Sequence, residues 1–168
     1  MSKAFTRESD DARADELPEI RLPPTGTKNH LTKEGADRLG RRLMELREER
    51  RFLSEQKDNL NTQPALRRLE AESQKLQSIL DSAIIAEPPS DPGKIGLGAW
   101  VRLRGDDGEE EDYQIVGVAE ANPGEGRISS ASPLGRVLLA RRTGEIVHFQ
   151  TPAGPRELTI LNVRYGNP

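Results

Sequence analysis

The chain has 168 residues, of which 33% are hydrophobic and 32% charged, with no cysteine and a formal net charge of −3. Disulfides, cysteine-based zinc sites and thiol catalysis are therefore excluded, and so thin an apolar supply suits an elongated molecule better than one compact globule. The acidic balance argues against a dedicated nucleic-acid binder, the two distant histidines His30 and His148 offer no metal cluster, and no apolar window approaches a membrane span.

Residues 1–30 carry mixed charges and the breakers Pro18, Pro23, Pro24 and Gly26, with little to bury, and read as a flexible tail. Thr32 then precedes a helical pattern in which Glu34 and Asp37 favour the opening turns. Leu39, Leu46, Leu53 and Leu60 recur at heptad spacing with Leu43 between them, while Arg50 and Lys57 make the far end of this seam more polar. Asn61-Thr62-Gln63-Pro64 supplies a turn, with Pro64 expected at the first position of a second helix. A second seam runs through Leu66, Leu69, Ser73, Leu76, Leu80 and Ala83. Residues 31–86 are thus expected to form an antiparallel coiled-coil hairpin, each helix ~42 Å long if it spans about 28 residues.

Residues 87–94 are a proline-rich linker that cannot continue the helix. From residue 95 the pattern is β. Strands are expected at 99–104 and 113–118, joined through the turn Gly105-Asp106-Asp107-Gly108. A short helix from Pro133 to Arg142 is opened by Ser132 as N-cap and closed by Gly144. Two further strands, 146–150 and 157–165, flank the turn Thr151-Pro152-Ala153-Gly154. The fold class is α+β: a helical hairpin followed by a small antiparallel sheet crossed by one helix.

Motifs for enzyme chemistry are absent from their required contexts. Gly96-x-Gly98 precedes a strand instead of following one, Gly93-Lys94 lacks the rest of a phosphate loop, and Ser129, Ser130 and Ser132 sit in no nucleophile elbow. The acidic run Glu109-Glu110-Glu111-Asp112 alternates faces on a strand, so its carboxylates do not converge on a metal. The hairpin carries many arginines, but interleaved acids nearly balance them, as on a solvated coiled-coil face. Glu55 and Asp58 are three apart near the hairpin tip and could share a helical face, the arrangement that would present Mg²⁺ ligands.

Several stretches resemble the Gre family of bacterial transcription elongation factors. They are Leu31-Thr32-Lys33-Glu34-Gly35, Gly98-Ala99-Trp100-Val101, Tyr113 to Gly117, Ser132-Pro133-Leu134-Gly135-Arg136-Val137-Leu138-Leu139, Gly144 to Val147, Thr151 to Gly154, and Leu161 to Tyr165. The resemblance is collinear over about residues 31–165. It implies an N-terminal coiled coil and a C-terminal FKBP-like domain that grips the rim of the RNA polymerase secondary channel, with Ser132, Pro133 and Leu134 making the contact. It also implies a cytoplasmic accessory factor that is not itself an enzyme. Such a factor has no intrinsic cofactor and no small-molecule substrate, Mg²⁺ being held only within the polymerase active site, and nascent RNA is a further contact within the complex.

The family tip carries an Asp-x-x-Glu-Asn-x-(Asp/Glu)-Tyr stretch, whereas this chain reads Glu55-Gln56-Lys57-Asp58-Asn59-Leu60-Asn61-Thr62-Gln63-Pro64. Its hairpin is about one heptad per helix shorter, a retraction of ~10 Å. Polymerase binding is therefore expected to carry over, and cleavage stimulation through Glu55 and Asp58 is not. The alternative from another class is a stand-alone FKBP-like chaperone or prolyl isomerase. A direct DNA-binding regulator is disfavoured by charge and by the lack of a recognition-helix module.

Overall fold

A computed structural model of the protein describes residues 20–56 and 62–166. Chain order is β1 (Asn29–Leu31), α1 (Lys33–Glu55), α2 (Thr62–Asp81), β2 (Ala83–Ile85), β3 (Trp100–Gly105), β4 (Glu110–Val116), β5 (Arg127–Ser129), α3 (Pro133–Leu138), β6 (Ile146–Thr151) and β7 (Gly154–Arg164). The α+β class expected from the sequence is the class observed.

The hairpin seam forms where leucines recur. Leu39, Leu43 and Leu46 of α1 pack against Leu69, Leu76 and Ile79 of α2, with Leu46 and Leu76 fully buried. The seam departs from expectation at its ends. Leu53 is only half-buried, Arg50 is exposed and bridges to Glu70 at 2.8 Å, and Ile79 takes the buried place expected of Leu80. Lys57 and Leu60 lie outside the described residues. Helix α2 begins at Thr62, so Pro64 falls at its third position; it is tolerated there because first-turn N–H groups lack intrahelical partners.

At its base the hairpin is closed by a feature that the sequence pattern does not announce. The helical pattern does not continue to residue 86. Helix α2 stops at Asp81, and Ala83–Ile85 pairs in parallel with Asn29–Leu31. Asn29 is buried and donates from Nδ2 to the carbonyl of Ile79 at 2.8 Å and to Ser82 Oγ at 3.0 Å. The expectation of a tail through residue 30 is corrected accordingly, since Ile20 already packs on the hairpin core and β1 is part of the fold. Residues 1–19 of the expected tail lie outside the described residues.

The C-terminal sheet has the order β5-β4-β3-β7-β6. It is mixed, not wholly antiparallel, because β5 returns beside β4 in parallel. Alternate residues Val101 and Leu103, Tyr113 and Ile115, Leu158 and Ile160, and Val147 and Phe149 form one apolar cluster with Leu134 and Leu138 of α3. Gly108, at φ 81°, makes the β3–β4 turn, and its N–H donates to Gly105 O at 3.0 Å.

Helix α3 ends at Leu138, four residues earlier than expected. The chain turns through Ala140, at φ 66°, so that Ala140 N donates to Ile95 O and Ile95 N donates to Arg141 O, each at 2.8 Å. Two backbone bonds to Ile95, just past the linker, thus replace the last helical turn, and Gly144 serves the entry to β6 instead of capping a helix. The linker is further tied down by Tyr165, whose hydroxyl donates to Lys94 O at 2.6 Å and accepts from Gly96 N at 2.8 Å, and by an Arg142–Asp91 ion pair.

Candidate functional site

The hairpin end presents one of the two expected carboxylates. Glu55 is the last residue of α1, exposed, and paired with Arg51 one turn back at 3.7 Å. Such an exposed pair is worth only a few tenths of a kcal/mol, yet it puts a cation beside the acid that would have to attract Mg²⁺. Asp58 lies outside the described residues. Among the described residues no group of three or more His, Asp or Glu side chains is placed to hold a metal ion. The run 109–112 splits between faces: Glu111 is half-buried and accepts from the Tyr113 hydroxyl at 2.7 Å, while Asp112 accepts two bonds from Arg102, at 2.9 and 2.8 Å.

The loop ahead of α3 is held by hydrogen bonds at both ends. Ser132 donates from Oγ to Ser129 O at 2.7 Å and accepts from Gly135 N at 3.0 Å, satisfying an otherwise unpaired N–H of the helix start. Ser130 N donates to Val116 O at 2.8 Å, fastening the loop to the sheet. Pro133 is exposed. Leu134 is 5% exposed and belongs to the domain core, so the expectation that it offers an apolar contact to a partner is corrected. The spacing places Leu134 one position into a helix whose inward face it shares with Leu138. Ser132 shapes the loop, Leu134 anchors it, and Pro133 is the member of the three that faces outward.

The third feature is the junction between hairpin and sheet, which sequence reasoning missed. Glu120 follows β4 in a short 3-10 turn, Val118–Glu120, and its side chain is wholly buried. Its Oε2 accepts from Thr32 N at 2.8 Å and Gly117 N at 3.1 Å, and its Oε1 accepts from Thr32 Oγ1 at 2.5 Å. Thr32 is simultaneously the N-cap of α1, accepting from Gly35 N at 2.9 Å. The carboxylate therefore sits at the positive end of α1, where negative charge is stabilised. Arg38 approaches Glu120 Oε1 at 3.7 Å. Burial, reinforced by Arg127, holds the Arg38 guanidinium below its ordinary value, with Glu120 and Glu125 opposing.

Two glycines make this approach possible. A Cβ at Gly35 would overlap the Glu120 carboxylate, and one at Gly117 would overlap the carbonyl of His30. Next to Glu120, Ala119 inserts into the hairpin core cluster. The local sequence signals for the site are the N-cap Thr32 and a glycine three residues after it, which by itself reads as a weak helix position, and neither marks Glu120.

The C-terminal half, residues 89–165, matches the family model described as "Transcription elongation factor, GreA/GreB, C-term". Over 98 residues the chain is 46% identical to transcription elongation factor GreA of Chloroflexus aggregans, an alignment covering 57% of this chain and 62% of that protein. A longer alignment, 33% identical over 153 residues, joins 82% of this chain to 97% of transcription elongation factor GreA of Halalkalibacterium halodurans. Among solved structures, GreA factor homolog 1 of Thermus thermophilus is 32% identical, with 80% of this chain and 97% of that one covered and a TM-score of 0.40.

Proposed function

We propose, from the premise that the chain belongs to the GreA/GreB family of transcription elongation factors, that it docks on RNA polymerase and places its hairpin in the secondary channel. There it modulates elongation, or the rescue of backtracked complexes, without itself driving transcript cleavage. The observation that carries this reading is the alignment reaching 97% of a relative's length, which takes in hairpin and C-terminal domain together.

The geometry supports a rigid delivery device. Glu120 bonds both the start of α1 and the 3-10 turn of the C-terminal domain, so the direction of the hairpin is set by the domain that docks. Pro133 stands on a loop fixed by the Ser129, Ser132 and Val116 bonds, a shape that needs little ordering on binding. Hydrolysis of RNA in such a complex is two-metal chemistry at the polymerase, with the factor contributing only ligands. Helices α1 and α2 have 23 and 20 residues, about 35 and 30 Å of helix. Glu55 is turned toward Arg51, and a rod retracted by ~10 Å cannot bring an oxygen to the ~2.1 Å that Mg²⁺ requires. Nascent RNA contact and a cytoplasmic location belong to the same proposal; no helix among the described residues is long and apolar enough to cross a membrane.

An isomerase reading finds no support in the aromatic residues. Tyr113 and Phe149 are core, Trp100 is covered by Arg164 at 5.3 Å from its ring centre, and Tyr165 holds the linker. The direct test is co-purification of the full chain with core RNA polymerase. Stoichiometric retention is expected, and failure to bind core polymerase would overturn the proposal.

A further inference from the structure

Between the N-terminal segment and the C-terminal domain lies a cleft of about 220 Å³. One wall is the turn at residues 23–28, fixed by Thr27, whose N–H and hydroxyl both donate to Pro24 O, at 3.1 and 2.6 Å. The opposite wall includes Leu97, Val118, Ala131 and Arg136, so the cleft borders the loop that leads into Pro133. Its charge is one-sided: Lys28 and Arg136 line it, and no lining residue is an acid.

Lys28 and Arg136 are exposed and have no carboxylate at ion-pairing distance among the described residues, unlike Arg50, Arg102, Arg141 and Arg142, each of which faces one. The volume is below the ~300–1,000 Å³ usual for small-molecule pockets, and it suits one or two side chains of a macromolecule. Apolar walls beside two cations fit an extended protein segment with a carboxylate next to an apolar side chain. A nucleic-acid backbone, with a charge at every phosphate, calls for a longer cationic track.

We infer that this cleft is a second docking site for RNA polymerase, taking an acidic, partly apolar segment of a polymerase subunit, with residues 23–28 and Arg136 acting beside Pro133 as one composite surface. The inference rests on the polymerase-docking proposal above. It gives the segment before the hairpin a role in partner affinity, with Lys28 and Arg136 setting the preference for an acidic segment.

The test is the affinity of the full chain for core RNA polymerase across a salt series. The compared proteins are wild type, the double variant Lys28→Glu/Arg136→Glu, and Arg104→Glu as a charge control on the exposed part of β3. All are first matched by circular dichroism and thermal melting. The double variant is expected to bind roughly tenfold or more weakly, with the largest loss at low salt, and Arg104→Glu to bind like wild type. Wild-type affinity of the double variant throughout the series overturns this inference and leaves the docking proposal standing. Failure of the wild type to bind overturns both. A parallel mobility shift with free single-stranded RNA completes the test: RNA binding by the wild type that the double variant loses assigns the cleft to phosphate and also overturns the inference.

Discussion

Thr32 offers both its backbone N–H and its hydroxyl to the carboxylate of Glu120, at 2.8 and 2.5 Å, across 88 positions of sequence. One residue thus caps helix α1 and fastens it to the C-terminal domain. The arrangement leaves no room for a side chain at position 35.

The first prediction follows from that crowding. On propensity alone, Gly→Ala inside a helix stabilises by about 0.8–1 kcal/mol. At Gly40 a Cβ would meet no atom within 4 Å beyond its chain neighbours and its own helix backbone, so Gly40→Ala should show that gain. Gly35→Ala should reverse the sign and destabilise, because the new methyl displaces a buried carboxylate. Glu120→Ala should cost about 1–3 kcal/mol by leaving N–H groups of Thr32 and Gly117 unpaired. Urea unfolding checks all three; equal gains from the two glycine substitutions would remove the latch from the account.

The hairpin predicts unequal effects along its seam. Leu46 is fully buried and should cost about 2–5 kcal/mol on replacement by alanine. Leu53, half-buried near the hairpin end, should cost clearly less under the same treatment. Melting followed by helical circular dichroism measures both, and equal losses at the two positions would contradict the packing described.

Much of this architecture is legible in the sequence, for reasons that are local. Heptad leucines, the N-caps Thr32 and Ser132, and the Gly108 turn announce themselves within a few residues. What escapes is non-local. Strands β1 and β2 are three residues each and pair across more than 50 positions, too short for a period of two to register. Glu120 looks like any surface acid until the fold buries it. Leu134 follows an exposed proline, and only the packing of α3 on the sheet fixes its inward direction. Ile79 takes the buried place expected of Leu80 in the last turn of α2, where the chain leaves the helix for β2.

Alkaline pH should weaken the C-terminal domain. Burial, with the Glu111 hydrogen bond, pushes the Tyr113 hydroxyl well up, and burial raises that of Tyr165 above its usual value of 10.0. Groups raised on folding leave stability unaffected below their unfolded value, and stability falls as pH rises beyond it. Stability should therefore begin to fall above about pH 10, with tyrosinate absorbance appearing together with loss of structure. Tyrosinate absorbance that appears at ordinary pH while the fold stays intact would be the contrary outcome.

Pro133 and Leu134 should separate binding from folding. Pro133→Asp alters an exposed position and should weaken capture by core polymerase while leaving circular dichroism unchanged. Leu134→Asp buries a charge in the core and should unfold the C-terminal domain. A pull-down paired with a melting curve distinguishes them, and unaltered capture by folded Pro133→Asp would remove the loop from the docking surface.

The most direct measurement of the central claim is RNA cleavage by backtracked elongation complexes, with the protein alone and in competition with a cleavage-competent Gre factor. Little or no cleavage is expected with the protein alone, and inhibition of the competent factor as the protein is added. Replacing Glu55 and Asp58 together by alanine should barely change that competition. Robust cleavage with the wild type that disappears in the double variant would contradict the account and restore catalytic delivery of Mg²⁺ ligands by the hairpin tip.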